Sequence, residues 1–469
     1  MLPKPMKTSR RQFLSTTASA VTAFTLVPRH VLGGAKFVAP SEKVNIAIVG
    51  AGGQGRTNVR ELFKQDDAQI IAVADPHEQS DLAAFYFRGA AGRKPVRAEI
   101  EKHYAAKSPN HRVAEYEDFR VMLEKEKAID AILCATPDHL HACVSVQAMH
   151  TGKHVYCEKP LTHNIWEARL VAQTAKETGV ATQMGNQGHS NDGIRETCEW
   201  IWNGAIGPVR EIHVWVGSGR WNKELAGRPP ETPSIPAGLN WDLWLGPRDA
   251  RPYHSAYVPV AWRDFWAFGC GTLGDFGCHD LDAACWALEL RSPASVEARP
   301  AGTMNAEIAP HGELCYYHFG PRGNQPDVKI TWYGGGLKPP APEELPRGAA
   351  LPDRGALFVG EKGLLLCGGA GGKPRLLPDD KDKAYARPAP TLPRSKGHHR
   401  EWLDACKGGP VAGSNFEYGA RLTEIVLLGV ASLRAGRKLH WDAANLKALG
   451  VPEADAIFKE SYRKGWEIA

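Results

Sequence analysis

Val44-Asn45-Ile46-Ala47-Ile48-Val49-Gly50-Ala51-Gly52-Gly53-Gln54-Gly55 reads as an apolar strand that runs straight into a glycine-rich turn. Gly50 permits the tight turn, Gly52 lets backbone approach a pyrophosphate, and Gly55 lets the following helix pack on the strand. Gly53 and Gln54 complete the turn, and the amino terminus of the helix faces the phosphates. Asp75 stands 20 residues beyond Gly55, at the end of the next apolar run. A carboxylate there accepts from ribose hydroxyls and repels a 2'-phosphate, so the expected cofactor is NAD, with NADP disfavoured.

Outward from this turn, short apolar runs alternate with amphipathic stretches. The runs are Val44 to Val49, Gln69 to Ala74, Ile129 to Ala135, His154 to Cys157 and Val180 to Met184. The alternation predicts an α/β domain with a doubly wound parallel sheet, the Rossmann arrangement, over residues 43–186. After Gly185 the texture becomes Trp-rich. We expect an α+β domain over 187–445 with a large, mostly antiparallel sheet, followed by a tail at 446–469. The Gly/Pro-rich stretch from Tyr333 to about Pro393 reads as a long loop insertion. A closing helix is predicted around Tyr418 to Leu433, with Leu422, Ile425, Val426, Gly429, Val430 and Leu433 on one face.

Ahead of the first strand, Ser9-Arg10-Arg11-Gln12-Phe13-Leu14 follows Lys4 and Lys7 and precedes a modest apolar core from Leu14 to Val27. Residues 1–36 therefore read as a twin-arginine export segment, with a periplasmic or otherwise exported destination. No clean small-x-small cleavage site lies between Val31 and Lys36. The core falls short of the roughly 20 apolar residues that span a bilayer, so no stable membrane insertion is expected. The chain has 469 residues, 43% hydrophobic and 23% charged, with a net charge of +5. That charge is small for the length and makes no case for nucleic acid. The ten cysteines lack disulfide-framework spacing and read as buried thiols.

Two segments carry chemistry. His154-Val155-Tyr156-Cys157 runs into Glu158-Lys159-Pro160 at the carboxyl edge of the first sheet, where such folds bind ligands. Further on, Gly271-Thr272-Leu273-Gly274-Asp275-Phe276-Gly277-Cys278-His279-Asp280-Leu281-Asp282 places Asp275 and His279 four apart, on one side of any helix that begins near Gly274. Oxidising a secondary alcohol needs a base for the O–H proton and a cation beside the forming alkoxide. Imidazole and ammonium meet both needs, and Lys159 and His279 form a pair in which either is the base.

On these motifs the chain resembles the glucose-fructose oxidoreductase, inositol dehydrogenase and MocA family, over nearly its whole length after the export segment. Thr136-Pro137-Asp138-His139-Leu140-His141, Gly185-Asn186-Gln187-Gly188-His189 and Leu239-Asn240-Trp241-Asp242-Leu243-Trp244-Leu245-Gly246-Pro247 support the match; the last two look like an exported bacterial branch. The resemblance implies that Lys159 lies beside the nicotinamide, that His279 exchanges the hydroxyl proton, and that Asp275 orients substrate or imidazole. It implies cofactor contacts for Thr136, Pro137, His141, Glu158, Lys159 and Gln187, although Thr136 and His141 can equally cap and line a helix. It also implies a homodimer or homotetramer. Cys270, Cys278, His279 and Asp282 form a conceivable metal set, but no paired ligand spacing recurs elsewhere and no metal is expected.

Nine of the 14 Trp lie between Trp200 and Trp286. Indole faces suit sugar rings, so Trp221, Trp262 and Trp266 are candidate substrate contacts, with core packing as the alternative. His189, Tyr253, His254 and Tyr257 are further candidates for proton transfer. An exported enzyme cannot draw on soluble NAD and must carry it. Association near 10⁶ M⁻¹s⁻¹ with release near 10⁻⁴ s⁻¹ gives a dissociation constant of about 10⁻¹⁰ M, roughly −14 kcal/mol. Two activities fit a captive cofactor: oxidation of one sugar with the hydride passed to another, or glycoside cleavage through transient oxidation and elimination. A non-catalytic sugar-binding protein is the third reading.

Overall fold

The computed structural model describes residue 39 and residues 42–468, apart from 347. The export reading of residues 1–36 lies outside the described residues. Among them, no helix is long and apolar enough to cross a membrane.

The glycine-rich turn does organise the first sheet. In chain order the elements are β1 (Val44–Val49), α1 (Gly53–Leu62), β2 (Ala68–Ala74), a small hairpin of β3 (Ser80–Asp81) and β4 (Ala90–Ala91), α2 (Arg93–Ala105), β5 (Ala114–Tyr116), α3 (Phe119–Lys125), β6 (Ala131–Cys134), α4 (Asp138–His150), β7 (His154–Glu158), α5 (Ile165–Thr178) and β8 (Thr182–Gly185). Strand order is β5-β2-β1-β6-β7-β8, all pairs parallel. Both faces of β1 are covered: Ile46 and Ile48 pack with Val59, Leu62 and Val96 on one side, and Ala47 and Val49 join Leu140 and Val144 on the other. Helix α5 begins in a reciprocal cap between Asn164 and Glu167 and ends at left-handed Gly179, φ 67°. The three-residue β5, too short to show a period, has no counterpart among the sequence runs.

The second part adds α6 (Asp192–Trp202), β9 (Val209–Val216), α7 (Trp241–Leu245), α8 (Gly271–Asp280), α9 (Asp282–Ala287), β10 (Ser295–Ala301), β11 (Gly312–Phe319), β12 (Val328–Tyr333), β13 (Arg354–Gly360), β14 (Gly363–Gly368), β15 (Pro374–Leu377), α10 (Asp379–Ala384), α11 (His398–Cys406), α12 (Phe416–Ala435), β16 (Leu439–Asp442), β17 (Lys447–Leu449) and α13 (Asp455–Phe458). Its nine strands run β15-β14-β13-β9-β12-β11-β10-β16-β17, with only the β9–β12 pair parallel. The sheet is thus mostly antiparallel, as expected. The loop expected from Tyr333 to Pro393 is corrected: it holds β13, β14 and β15, whose glycines at both strand ends had hidden the runs Ala356-Leu357-Phe358 and Leu364-Leu365-Leu366. Residues 446–468, set apart above as a tail, supply β17 and bury Phe458 and Trp466 in the core.

Helix α12 starts at Asn415, whose side chain accepts from the Glu417 and Tyr418 N–H groups, and stops at left-handed Gly436. All six residues expected on its apolar face are buried, and Leu427, Leu428 and Ala431 on the other sides are buried too. Helix α8 packs against it through a bare face. A Cβ on Gly277 would lie 2.8 Å from Val426 Cγ2. The glycines that weaken α8 as a helix therefore bring it close to α12 and fix which side it shows to the first sheet.

Candidate active site

The order of strands reverses between β1 and β6, and a crevice opens there beyond their carboxyl ends. Gly50 takes φ 89°, and a Cβ on it would sit 2.6 Å from the Ala135 main chain, so the turn after β1 closes tightly onto the end of β6. Gly55 is equally constrained: its Cβ would be 2.0 Å from the Gly50 carbonyl. A Cβ on Gly52 would meet nothing within 4 Å, which leaves the open approach that a pyrophosphate needs. Asp75 accepts the Ala51 N–H at 2.7 Å and the His77 N–H at 2.7 Å, tying the end of β2 to the turn. Burial raises its carboxyl to about 6, partly offset by those two donors. These features fit a dinucleotide.

The crevice continues into a cavity of about 700 Å³ whose walls come from both sheets. Gly50, Gly52, Gly53, Gln54 and Asp75 line one end. Thr136, Pro137, Glu158, Lys159 and Gln187 form its floor. From the second part come Trp221, Trp262, Arg263, Asp275, His279 and Arg354. Glu158 accepts from Asn58 at 2.8 Å, Gln187 at 3.0 Å and Gln54 at 3.2 Å, which links α1 to the ends of β7 and β8. Burial raises its carboxyl, against those donors and Lys159.

Lys159 follows β7, across a cis bond to Pro160. Its Nζ donates to Asp275 Oδ1 at 2.5 Å and to the Asp275 carbonyl at 2.7 Å. Arg263 Nε reaches the same Oδ1 at 3.4 Å. Burial alone would raise the Asp275 carboxyl, but Lys159 and Arg263 together hold it below the usual carboxylate range. His279, one turn along α8, keeps a buried Nδ1 without a hydrogen-bond partner. Burial lowers its imidazole well below the ordinary range, with Lys159 and Arg354 adding to the effect and Asp275 opposing it. The helix begins at Gly271, one turn ahead of the expected start, and the four-residue spacing brings Asp275 and His279 to one cavity.

Several expected contacts are corrected. His141 is buried off the cavity: its ring nitrogens face the Pro160 carbonyl at 2.7 Å and the Thr136 carbonyl at 2.9 Å, so it braces the floor from below. His189 is buried against Asp282 and stacked on Trp286. Tyr253 and Tyr257 belong to an aromatic core with Trp241, Trp244 and Phe268, and His254 caps its own turn through the Ala256 N–H. Trp266 is core, its Nε1 donating to the Asn305 carbonyl. His189, His254 and Trp266 find polar partners inside the fold, and the two tyrosines find aromatic partners, which sequence cannot show. Cys270, Cys278 and Asp282 turn to His163, Thr423 and His189 respectively and do not converge on His279. Among the described residues Cys134, His141 and Cys157 do cluster within 4.8 Å, but both His141 nitrogens are already engaged with carbonyl groups. Nine of the ten thiols are buried, and none is bridged.

Sequence reasoning missed five residues. Arg263 and Arg354 are cavity cations, the latter on β13 with its Nε on Asp280 at 2.7 Å. Asp138 is a buried carboxyl at the mouth of α4 that burial raises to about 6, opposed chiefly by Arg263. Tyr86 and Phe87 come from the connection between β3 and β4, where the run Phe85-Tyr86-Phe87 was a visible but unused signal.

Two family models match the chain: an oxidoreductase family model for the NAD-binding Rossmann fold at residues 44–186, and its C-terminal alpha/beta partner at 199–310. Together they cover more than half of it. A Glycosyl hydrolase family 109 protein of Stenotrophomonas maltophilia is 31% identical over 208 residues, which is 44% of this chain and 41% of that protein. A 2,7-anhydro-N-acetylneuraminate hydratase of Mediterraneibacter gnavus is 26% identical over 36% of this chain and 38% of its own length. A scyllo-inositol 2-dehydrogenase (NAD(+)) of Bacillus subtilis is 28% identical over 30% and 35%. The chain therefore matches only about two fifths of these relatives' length. The WlbA dehydrogenase of Bordetella pertussis, solved with NADH and UDP-GlcNAcA, superposes with TM-score 0.56 at 16% identity, over 85% of this chain and 99% of that one. The aldose-aldose oxidoreductase of Caulobacter crescentus gives TM-score 0.52 at 16% identity, over 85% and 100%. At such identities these two establish the fold alone. The chain belongs to the Gfo/Idh/MocA oxidoreductase family.

Proposed function

We propose that the protein oxidises a secondary hydroxyl of a sugar or sugar derivative with a tightly held NAD that is regenerated in place, after export by the twin-arginine route. The observation that carries this reading is the Lys159–Asp275 pair at 2.5 Å, next to an unpartnered His279, at the end of a glycine-lined crevice. NAD, when bound, accepts and returns the hydride. Asp75 beside the turn supports NAD over NADP.

In this reading His279 takes the hydroxyl proton. Burial and the neighbouring cations keep its imidazole neutral and able to accept. Lys159, positioned by Asp275, stabilises the forming alkoxide. Trp221 and Trp262 line the cavity beside the reacting groups, and Arg263, 4.2 Å over the Trp262 ring, offers its guanidinium to sugar oxygens. Removing the proton and hydride leaves a carbonyl; a second sugar carbonyl recovers both, and the net reaction consumes one oxidant sugar per sugar oxidised.

A redox-neutral glycosidase is the second reading. The glycosyl hydrolase relative favours it, as does Asp138, a cavity carboxyl raised to about 6 and able to serve as an additional acid. Product analysis separates the two. Purified protein incubated with monosaccharide pairs and with glycosides should give an oxidised sugar plus a reduced partner in the first case, and hydrolysis without net redox change in the second. Neither product from protein shown to contain NAD would overturn the proposal.

A further inference from the structure

We propose that the segment from Leu82 to Ala91 is a strap that retains the coenzyme, with Phe87 and Tyr86 in direct contact with it; this rests on the NAD-binding reading above. The Phe87 ring occupies the space that a side chain at Gly53 would fill: a Cβ there would lie 2.3 Å from Phe87 Cδ2. Gly53 is the first residue of α1, the turn whose N–H groups point toward the phosphates. The neighbouring Gly52 face stays open. Phe87 therefore roofs the phosphate end of the crevice and leaves its approach surface free.

From Phe87 an aromatic ladder crosses to the reacting groups. Tyr86 packs on Phe87 at 4.0 Å between ring centres and stacks on Trp221 at 5.8 Å, with the planes 19° apart. Arg263 lies 5.9 Å over Trp221 and reaches Asp275. All these residues except Asp275 come from loops or single turns, yet all line the one cavity. Tyr86 is 67% exposed, a large aromatic surface left facing that cavity and solvent.

The carboxyl-terminal end of the strap is tied to the glycine-rich turn and its helix. The Gly92 N–H donates to the Ala51 carbonyl at 2.7 Å. Arg56, on α1, donates to the Arg88 carbonyl at 3.1 Å and to Glu99 at 2.8 Å. The Leu82 N–H closes the base of the strap on the Gly89 carbonyl at 2.9 Å, and Leu82 and Ala91 pack with Val260 of the second part. In this proposal the rings hold a ligand lying along the turn from the Gly53 and Trp221 side, and its release is slow until they swing away. An apolar roof also excludes water from the anion below, which strengthens its attraction to the helix terminus.

The test measures release of NADH from the full-length protein, chased with excess NAD and followed by nicotinamide fluorescence. Phe87→Ala and Tyr86→Ala should each speed release by about tenfold or more while thermal midpoints stay near the parent's, because most tuning of affinity lies in dissociation. Gly53→Ala, which expels the ring, should match Phe87→Ala. Release as slow as the parent's in all three variants overturns the strap and leaves the NAD reading standing. A parent protein that neither carries nor takes up NAD or NADH overturns both.

Discussion

Lys159 Nζ grips Asp275 twice, at the carboxylate and at its own main-chain oxygen, across 116 positions of sequence. The contact joins the end of β7 to the cavity face of α8 and makes the ammonium a fixed feature of the site. Replacing Lys159 by Ala should lower kcat by about 10²–10⁴-fold. Bound nucleotide, measured on the denatured protein, should stay near the parent's level, since the glycine-lined end of the crevice is untouched. Full turnover in Lys159→Ala would remove its proposed role.

Arg354 depresses the His279 imidazole. Arg354→Gln should therefore move the acid limb of the kcat/KM profile to higher pH, whereas a purely structural change would scale the profile without shifting it. The parent's acid limb should lie below the ordinary imidazole range, because desolvation and the Lys159 and Arg354 cations disfavour the protonated ring more than Asp275 favours it. Rates measured across pH 4 to 9 check both.

The contribution of two buried histidines to stability should fall on acidification in a defined window. Burial lowers His141 and His398 from the ordinary 6.5 to about 4 each, so the native state keeps both rings neutral where the unfolded chain binds protons. The unfolded state gains protons first, and the free energy of unfolding drops as pH falls from about 6.5 toward about 4. Asp275, held below its usual value, keeps its stabilising pair throughout this window. Asp75 and Asp138, raised to about 6, take up protons in the native state over part of this range and oppose the decline, so the histidine share is read by difference: the urea midpoint of His398→Gln should fall less between pH 6.5 and 4 than the parent's, and parallel profiles would contradict the buried neutral ring.

Gly277→Ala should cost about 1–3 kcal/mol, because the new methyl has only 2.8 Å to Val426. The same substitution should reduce turnover by tilting α8. Urea denaturation and kcat measured on one preparation test the two effects together.

Asp75→Ala should weaken NAD binding and narrow the preference over NADP, since the replacement removes both the acceptor and the negative charge. Titrations with NADH and NADPH, read by fluorescence, give the ratio.

The first sheet was legible because its strands are buried on both faces and read as continuous apolar runs; β5, three residues at the sheet's edge, carries no such run. Lys159, Asp275 and His279 could be read because each sits in a motif tied to a strand end or a helical repeat. Arg263 and Arg354 could not, because their place in the site comes from tertiary approach of a loop and of β13, a strand hidden in a glycine-rich stretch. The aromatic candidates divided for the same reason. Trp221 and Trp262 reached the cavity, while Trp266, Tyr253 and Tyr257 turned inward to hydrogen-bond or stack within the core, and composition treats both groups alike.

Trp466 is buried between the guanidinium of Arg120, 4.0 Å above its ring, and Phe119, both on α3 of the first sheet. A nascent chain must therefore have been made through residue 466 before the earliest layer of the fold can be sealed. Chains cut short before that residue leave this α3 surface uncovered, so the nucleotide half is completed only by the far end of the second part.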